Sequence, residues 1–103
     1  MSYPVNGMRA IHPGEVLREE FLIPLGLSAS ALAIALAVPA PRINDVVRER
    51  RGVTPDTALR LAAYFGNSAE FWLGLQMDYD LAISRKALRP ALKRIAPREA
   101  LAA

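Results

Sequence analysis

Between Ser28 and Arg48 the chain sets out side chains suited to reading the edges of nucleic-acid bases. Arg42 and Arg48 carry guanidinium forks that match guanine or a phosphate. Asn44 has the donor and the acceptor that pair with adenine, and Asp45 can accept from cytosine or hold an arginine in place. Ala40 and Pro41, just after Pro39, offer apolar contact to a thymine methyl. Ser28 and Ser30 lie upstream, with hydroxyls and backbone amides for a phosphate. No comparable group exists for catalysis. His12 is the only histidine and precedes Pro13 at a helix start, where a capping or packing role is expected. Glu19 and Glu20 share one exposed turn without a neighbouring histidine, lysine or pocket. No nucleophile elbow, phosphate loop, dinucleotide fingerprint or clustered metal ligands appear. The reading is a binding protein, not an enzyme, with no cofactor.

The elements that must position these residues are legible around them. From Ser28 to Val47 the chain reads S-A-S-A-L-A-I-A-L-A-V-P-A-P-R-I-N-D-V-V, two short helices joined by a tight corner. Leu32, Ala33 and Leu36 form the inner stripe of the first, Val38 fills the corner, and Ile43, Val46 and Val47 line the second. Ala33 falls where the helices come closest. Such a helix-turn-helix lays its second helix in the DNA major groove, whereas a plain helical hairpin is the alternative. The outward stripe is then Ala40, Pro41, Asn44, Asp45 and Arg48, with Arg42 at its flank. Ser28 is the expected cap of the first helix, and Pro39 and Pro41 set the start of the second.

Three further helices complete an all-α pattern without strands. The first spans about 13–23, with Val16, Leu17 and Phe21 as its stripe and Pro24 and Gly26 as its end. Thr54-Pro55-Asp56 opens the fourth, whose expected core face is Ala58, Leu59, Leu61, Ala62 and Phe65. Ser68 caps the fifth, where Phe71, Trp72, Leu75 and Tyr79 recur at helical spacing. Trp72 and Phe71 are expected in the core and not as base stackers. This last helix is expected to reach about Leu88, interrupted by Pro90. The organisation is an arm at 1–11, a helix-turn-helix domain at 12–88 and a basic tail at 89–103.

A chain of 103 residues, 52% hydrophobic and without cysteine, forms one compact domain compatible with a reducing cytoplasm. No apolar run approaches the ~20 residues of a membrane span, and the first ten residues lack a secretory core. A soluble, cytoplasmic protein with no membrane partner is expected. The net charge of +3 is uneven: residues 1–84 hold seven Lys and Arg against nine Asp and Glu, residues 85–103 six against one. The reading helix itself is not strongly basic, so one copy binds DNA weakly. Specific binding calls for a homodimer whose two reading helices lie about 34 Å apart on a palindromic double-stranded site. Met77, Tyr79 and Leu81 are the expected dimer contact. In the tail, Leu88, Leu92 and Ile95 interleave with Arg85, Lys86, Arg89, Lys93, Arg94 and Arg98. It reads as a basic amphipathic helix facing nucleic acid or an acidic partner, or as a solvated extension.

The pieces H-P-G-E-V-L-R-E-E-F at 12–21, P-L-G-L-S at 24–28, A-L-A at 31–33 and R-I-N-D-V-V at 42–47 occur in order. They continue with R-G-V-T-P-D-T-A-L-R-L-A-A-Y-F-G at 51–66, N-S-A-E-F-W-L-G-L-Q at 67–76 and Y-D-L at 79–81. On these, over about residues 10–84, the chain resembles the HigA-type antitoxins of bacterial toxin–antitoxin modules, a branch of the Xre/Cro-like repressors. The resemblance implies a five-helix, lambda-repressor-like fold that dimerises on its own operator, with Pro39 through Asn44 starting the reading helix. It also implies a cognate RelE-like, mRNA-cleaving toxin that the protein neutralises. An orphan Xre-type repressor without a toxin is the alternative. Two positions depart from the pattern. Ala37 occupies the corner usually held by a left-handed glycine, at a cost of about 1 kcal/mol or a slightly different turn. Pro39 replaces a serine and removes a capping oxygen.

Overall fold

The structure is a computed structural model that describes residues 9–99; most of the expected arm at 1–11 lies outside these. It is all-helical. His12 begins the first helix, its Nδ1 accepting from the Gly14 amide at 2.8 Å, with Pro13 in the first turn. Helix α1 has three consecutive parts: an α-helical Pro13–Val16, a π-helical Leu17–Leu22 and a closing Ile23–Leu25. The wide middle turns let Leu17 and Leu22, five residues apart, both enter the core. They also direct Phe21 onto the rings of Phe65 and Trp72, at 4.7 and 5.1 Å between centroids. Contrary to the sequence reading, the helix continues past Ile23 and through Pro24. Proline is accommodated in this final turn, and Gly26, at φ +61°, ends it.

Helices α2 (Ala29–Leu36), α3 (Ala40–Val47), α4 (Pro55–Phe65) and α5 (Ala69–Leu92) follow. Ser28, Thr54 and Ser68 cap α2, α4 and α5 through their side-chain oxygens. The core joins Leu17, Leu22, Leu32, Ala33, Leu36, Ile43, Val46, Val53, Ala58, Leu61 and Trp72. Trp72 is its largest fully buried member, and its indole Nε1 donates to Asn67 Oδ1 at 2.9 Å, so the buried N–H is not orphaned. Two expectations fail. Leu59 is 62% exposed, because Ala58, Leu61, Ala62 and Phe65 already supply the inward stripe of α4, at i, i+3, i+4 and i+7. Pro90 does not interrupt α5, which runs on to Leu92. Every residue from Ile83 onward in that helix is exposed, so water can serve the carbonyl that Pro90 leaves without a donor. The boundary drawn after residue 88 therefore falls inside one helix.

The start of α1 presses against the end of α3. A Cβ on Gly14 would lie 1.8 Å from the Val46 carbonyl oxygen, so only glycine permits this approach. Arg18 reinforces it, donating from Nη1 to Val47 O at 2.6 Å and from Nη2 to Glu49 at 3.3 Å. His12 is buried and packs edge-on against Tyr79 of α5 at 4.9 Å.

Two tests follow from this packing. Gly14→Ala must separate α1 from α3 and is expected to destabilise the fold by about 1–3 kcal/mol in denaturant melts. Burial holds the His12 imidazole below its ordinary pKa of 6.5, outweighing the pull of the Glu49 and Asp80 carboxylates; Arg18 adds to the lowering. The unfolded chain therefore takes up this proton first. The His12 contribution is complete above pH 6.5 and is lost as pH falls below it. Melting temperature should drop between pH 7 and pH 5, and His12→Asn, which keeps an acceptor for the Gly14 amide, should flatten that drop.

Candidate nucleic-acid interface

The exposed front of α3 sits beside the front of α2. Ala40 and Pro41 are exposed in the first turn of α3, and Pro39 precedes them without any side-chain capping bond. The Ala40 amide is left without an intrahelical acceptor. Asn44, half-buried, donates from Nδ2 to the Ala40 carbonyl at 3.0 Å and lies 3.4 Å from Ser30 Oγ of α2. The carboxamide is thereby aligned along the helix, bridging the two helices of the motif. Ser30 is exposed, whereas the Ser28 oxygen is already engaged, accepting from the Ala31 amide at 3.0 Å. Ser28 thus shapes the α2 terminus, and Ser30 holds the freer hydroxyl.

The charged residues divide into distinct roles. Arg42 Nη1 donates to Asp56 Oδ1 of α4 at 2.6 Å. The same oxygen accepts from Arg60 Nε at 2.7 Å, and Arg60 Nη1 donates to the Leu36 carbonyl at the end of α2 at 2.8 Å. The Arg60 and Arg42 contacts hold the Asp56 carboxyl below its ordinary pKa against a smaller opposing effect of burial. Asp45 does not reach outward alone: Arg50 lies 3.1 Å and Arg51 3.8 Å from its carboxylate. Arg48 caps the far end of α3 and is exposed, with no carboxylate partner among the described residues. The structure therefore groups Ser28, Ser30, Pro39, Ala40, Pro41, Arg42 and Asn44 at one end of the motif. Asp45 and Arg48 lie further back. Sequence reasoning missed Asp56. Its i, i+4 spacing to Arg60 was a visible signal, but its reach to Arg42 is tertiary.

The corner that aims α3 is Ala37, at φ +60° and ψ +44°. The expected left-handed turn is formed, with alanine in it. Its amide donates to Ile34 O at 3.1 Å, and that of Val38 to Ala33 O at 3.0 Å, closing the α2 terminus.

Elsewhere, Met77 and Leu81 are exposed on α5, while Tyr79 is half-buried against His12. Leu73, Gln76, Met77, Asp80, Leu81 and Ser84 line a shallow, open depression on that helix. Among the described residues no group of His, Asp and Glu is placed to hold a metal ion, and no single helix is long and apolar enough to cross a membrane.

No protein-family model matches the chain. It is 59% identical over 88 residues to virulence-associated protein I of Dichelobacter nodosus, covering 84% of this chain and 82% of that protein. It is 37% identical over 90 residues to antitoxin HigA-1 of Vibrio cholerae, covering 86% of this chain and 84% of that one. Among solved structures, Pseudomonas aeruginosa antitoxin HigA with the higBA promoter superposes at a TM-score of 0.86 with 49% identity. That match covers 88% of this chain and all of the other.

The corner supplies a direct test. Ala37→Gly relieves the left-handed strain while loosening the unfolded chain, and the net expected gain is about 0.5–1 kcal/mol of stability in denaturant melts.

Proposed function

Because this chain belongs to the HigA-type antitoxins, helix-turn-helix regulators of the Xre type, we propose that it binds operator DNA upstream of its own operon as a dimer and represses transcription. The observation that carries this reading is the shared front of α2 and α3, where Asn44 lies beside Ser30 and Arg42 is held by Asp56. Asn44, its Nδ2 engaged by Ala40 O and Ser30 Oγ, presents Oδ1 to accept from an adenine amine, and Arg42 presents a guanidinium suited to guanine. Ser30, with the free amides at the front of α2, faces a phosphate, and Arg48 takes another further along. That the P. aeruginosa relative was solved with its higBA promoter supports the DNA-binding part of this reading.

Two copies related by a two-fold axis read a palindrome with their α3 helices about 34 Å apart. We assign the dimer contact to α5, where Met77 and Leu81 are exposed beside Tyr79. The partner in the second half of the reading is a cognate RelE-like ribonuclease toxin, which the chain binds and silences.

Arg42→Ala and Asn44→Ala should each weaken binding to a duplex from the chain's own promoter by about 1–3 kcal/mol, with helical circular dichroism unchanged. Unchanged affinity in both gel-shift series would remove α3 from the interface. For the toxin, the product of the adjacent gene should co-purify with this chain, and co-expression should restore growth that the gene product alone arrests. A neighbour that neither binds nor arrests growth leaves an orphan repressor.

A further inference from the structure

We infer that Asp56 is a positioning residue for sequence reading: from the first turn of α4 it holds the Arg42 guanidinium at the front of α3 and thereby sets the preference for operator over other DNA. The inference rests on the DNA-reading role proposed for α3.

Three observations carry it. First, the Arg42–Asp56 contact is short, 2.6 Å, and uses one of the five N–H groups of the guanidinium. Four remain for a base edge, on a side chain whose rotation is already restricted. Second, the carboxylate is itself anchored. Arg60 donates to the same oxygen at 2.7 Å and, at 2.8 Å, to the Leu36 carbonyl. Asp56 is followed directly by the buried Thr57 and Ala58. The clamp therefore ties Arg42 to both the end of α2 and the start of α4. Third, Arg48, the arginine that caps the far end of α3, is exposed and has no such partner among the described residues. A freely rotating guanidinium suffices for a phosphate, whereas a base edge demands a fixed fork.

This arrangement has a distinctive signature. A carboxylate near the duplex repels every phosphate, whatever the sequence. Asp56 should therefore weaken binding to arbitrary DNA while strengthening binding to the operator. A residue that merely tied α3 to α4 would shift both together.

The test compares the parent chain, Asp56→Asn, Asp56→Ser, Arg42→Ala and the Arg42→Ala/Asp56→Asn double variant. Each is titrated by fluorescence anisotropy against a promoter duplex and a scrambled duplex of equal length, at one salt concentration, with thermal melts alongside. Asp56→Asn and Asp56→Ser are expected to weaken promoter binding about tenfold while scrambled binding is unchanged or tighter. In the Arg42→Ala background, Asp56→Asn should shift both duplexes by the same factor, the non-additivity of residues that act as a unit. Equal shifts on both duplexes with Arg42 present would overturn the inference. So would tighter promoter binding at unchanged preference, which would mean that Asp56 withholds Arg42. If the parent chain itself does not distinguish the duplexes, the DNA-reading proposal falls and this inference with it. A preferring parent with unaltered Asp56 variants overturns this inference alone.

Discussion

The approach of Gly14 to the Val46 carbonyl is the constraint on which the rest of the fold depends. It places the first turn of α1 directly on the last turn of α3, closer than any residue with a Cβ allows. Around that contact the chain gathers fixed groups: His12 caps α1, Arg18 donates to Val47 O, and Glu49, itself at φ +63°, completes the ion pair with Arg18. The rear of α3 is thus held by backbone packing and short hydrogen bonds, while its front is held by exposed side-chain contacts alone. A short helix of eight residues is marginal alone. Anchored at one end, it can project the other end into solvent without fraying.

The charges follow the same division. In the body, all the arginines except Arg48 meet a carboxylate. In the extension of α5, Arg85, Lys86, Arg89, Lys93, Arg94 and Arg98 form no ion pair with any described residue. The excess positive charge is therefore not located on the proposed reading face, where Arg42 is held by Asp56 and Arg48 alone has no acid partner among the described residues. Exposed pairs of this kind contribute little to stability. Their value here is orientation: each carboxylate limits where a long side chain can point. A surface with few free cations gains little from counterion release, so the proposed discrimination rests on fixed geometry.

Much of this was legible in the residues. The alternation of Leu32, Ala33, Leu36, Ile43 and Val46 specified two crossed helices, because burial at 3.6-residue spacing has few other solutions. Ser28, Thr54, Ser68 and Gly26 marked the helix ends by local chemistry. What escaped was tertiary. Leu59 looked as apolar as its neighbours, and only the position of the α4 axis turns it to solvent. Pro90 breaks helices in the average context but not in a free-standing exposed one. The π-helical turns of α1 arise from the need to bury Leu17 and Leu22 together, which no local preference encodes. At the interface, the types of Arg42 and Asn44 were readable, whereas Asp56 joins them only when α4 folds back against α3.

Local rules are broken most where the motif is most exposed. Ala37 occupies a left-handed corner better suited to glycine, and Pro39 begins α3 without a capping oxygen. Both choices forgo stability at the turn that sets the direction of α3. Alanine in the corner also narrows the backbone's freedom relative to glycine, so the strain comes with a better-defined angle between α2 and α3. Pro41 has no N–H and the Arg42 amide donates to Pro39 O, so the Ala40 amide alone is left to whatever acceptor approaches it. A stabilised corner would relieve the strain and loosen the aim. Conflict between local preference and global arrangement is expected at a working surface. Here it falls on the two residues that decide where Arg42 and Asn44 point.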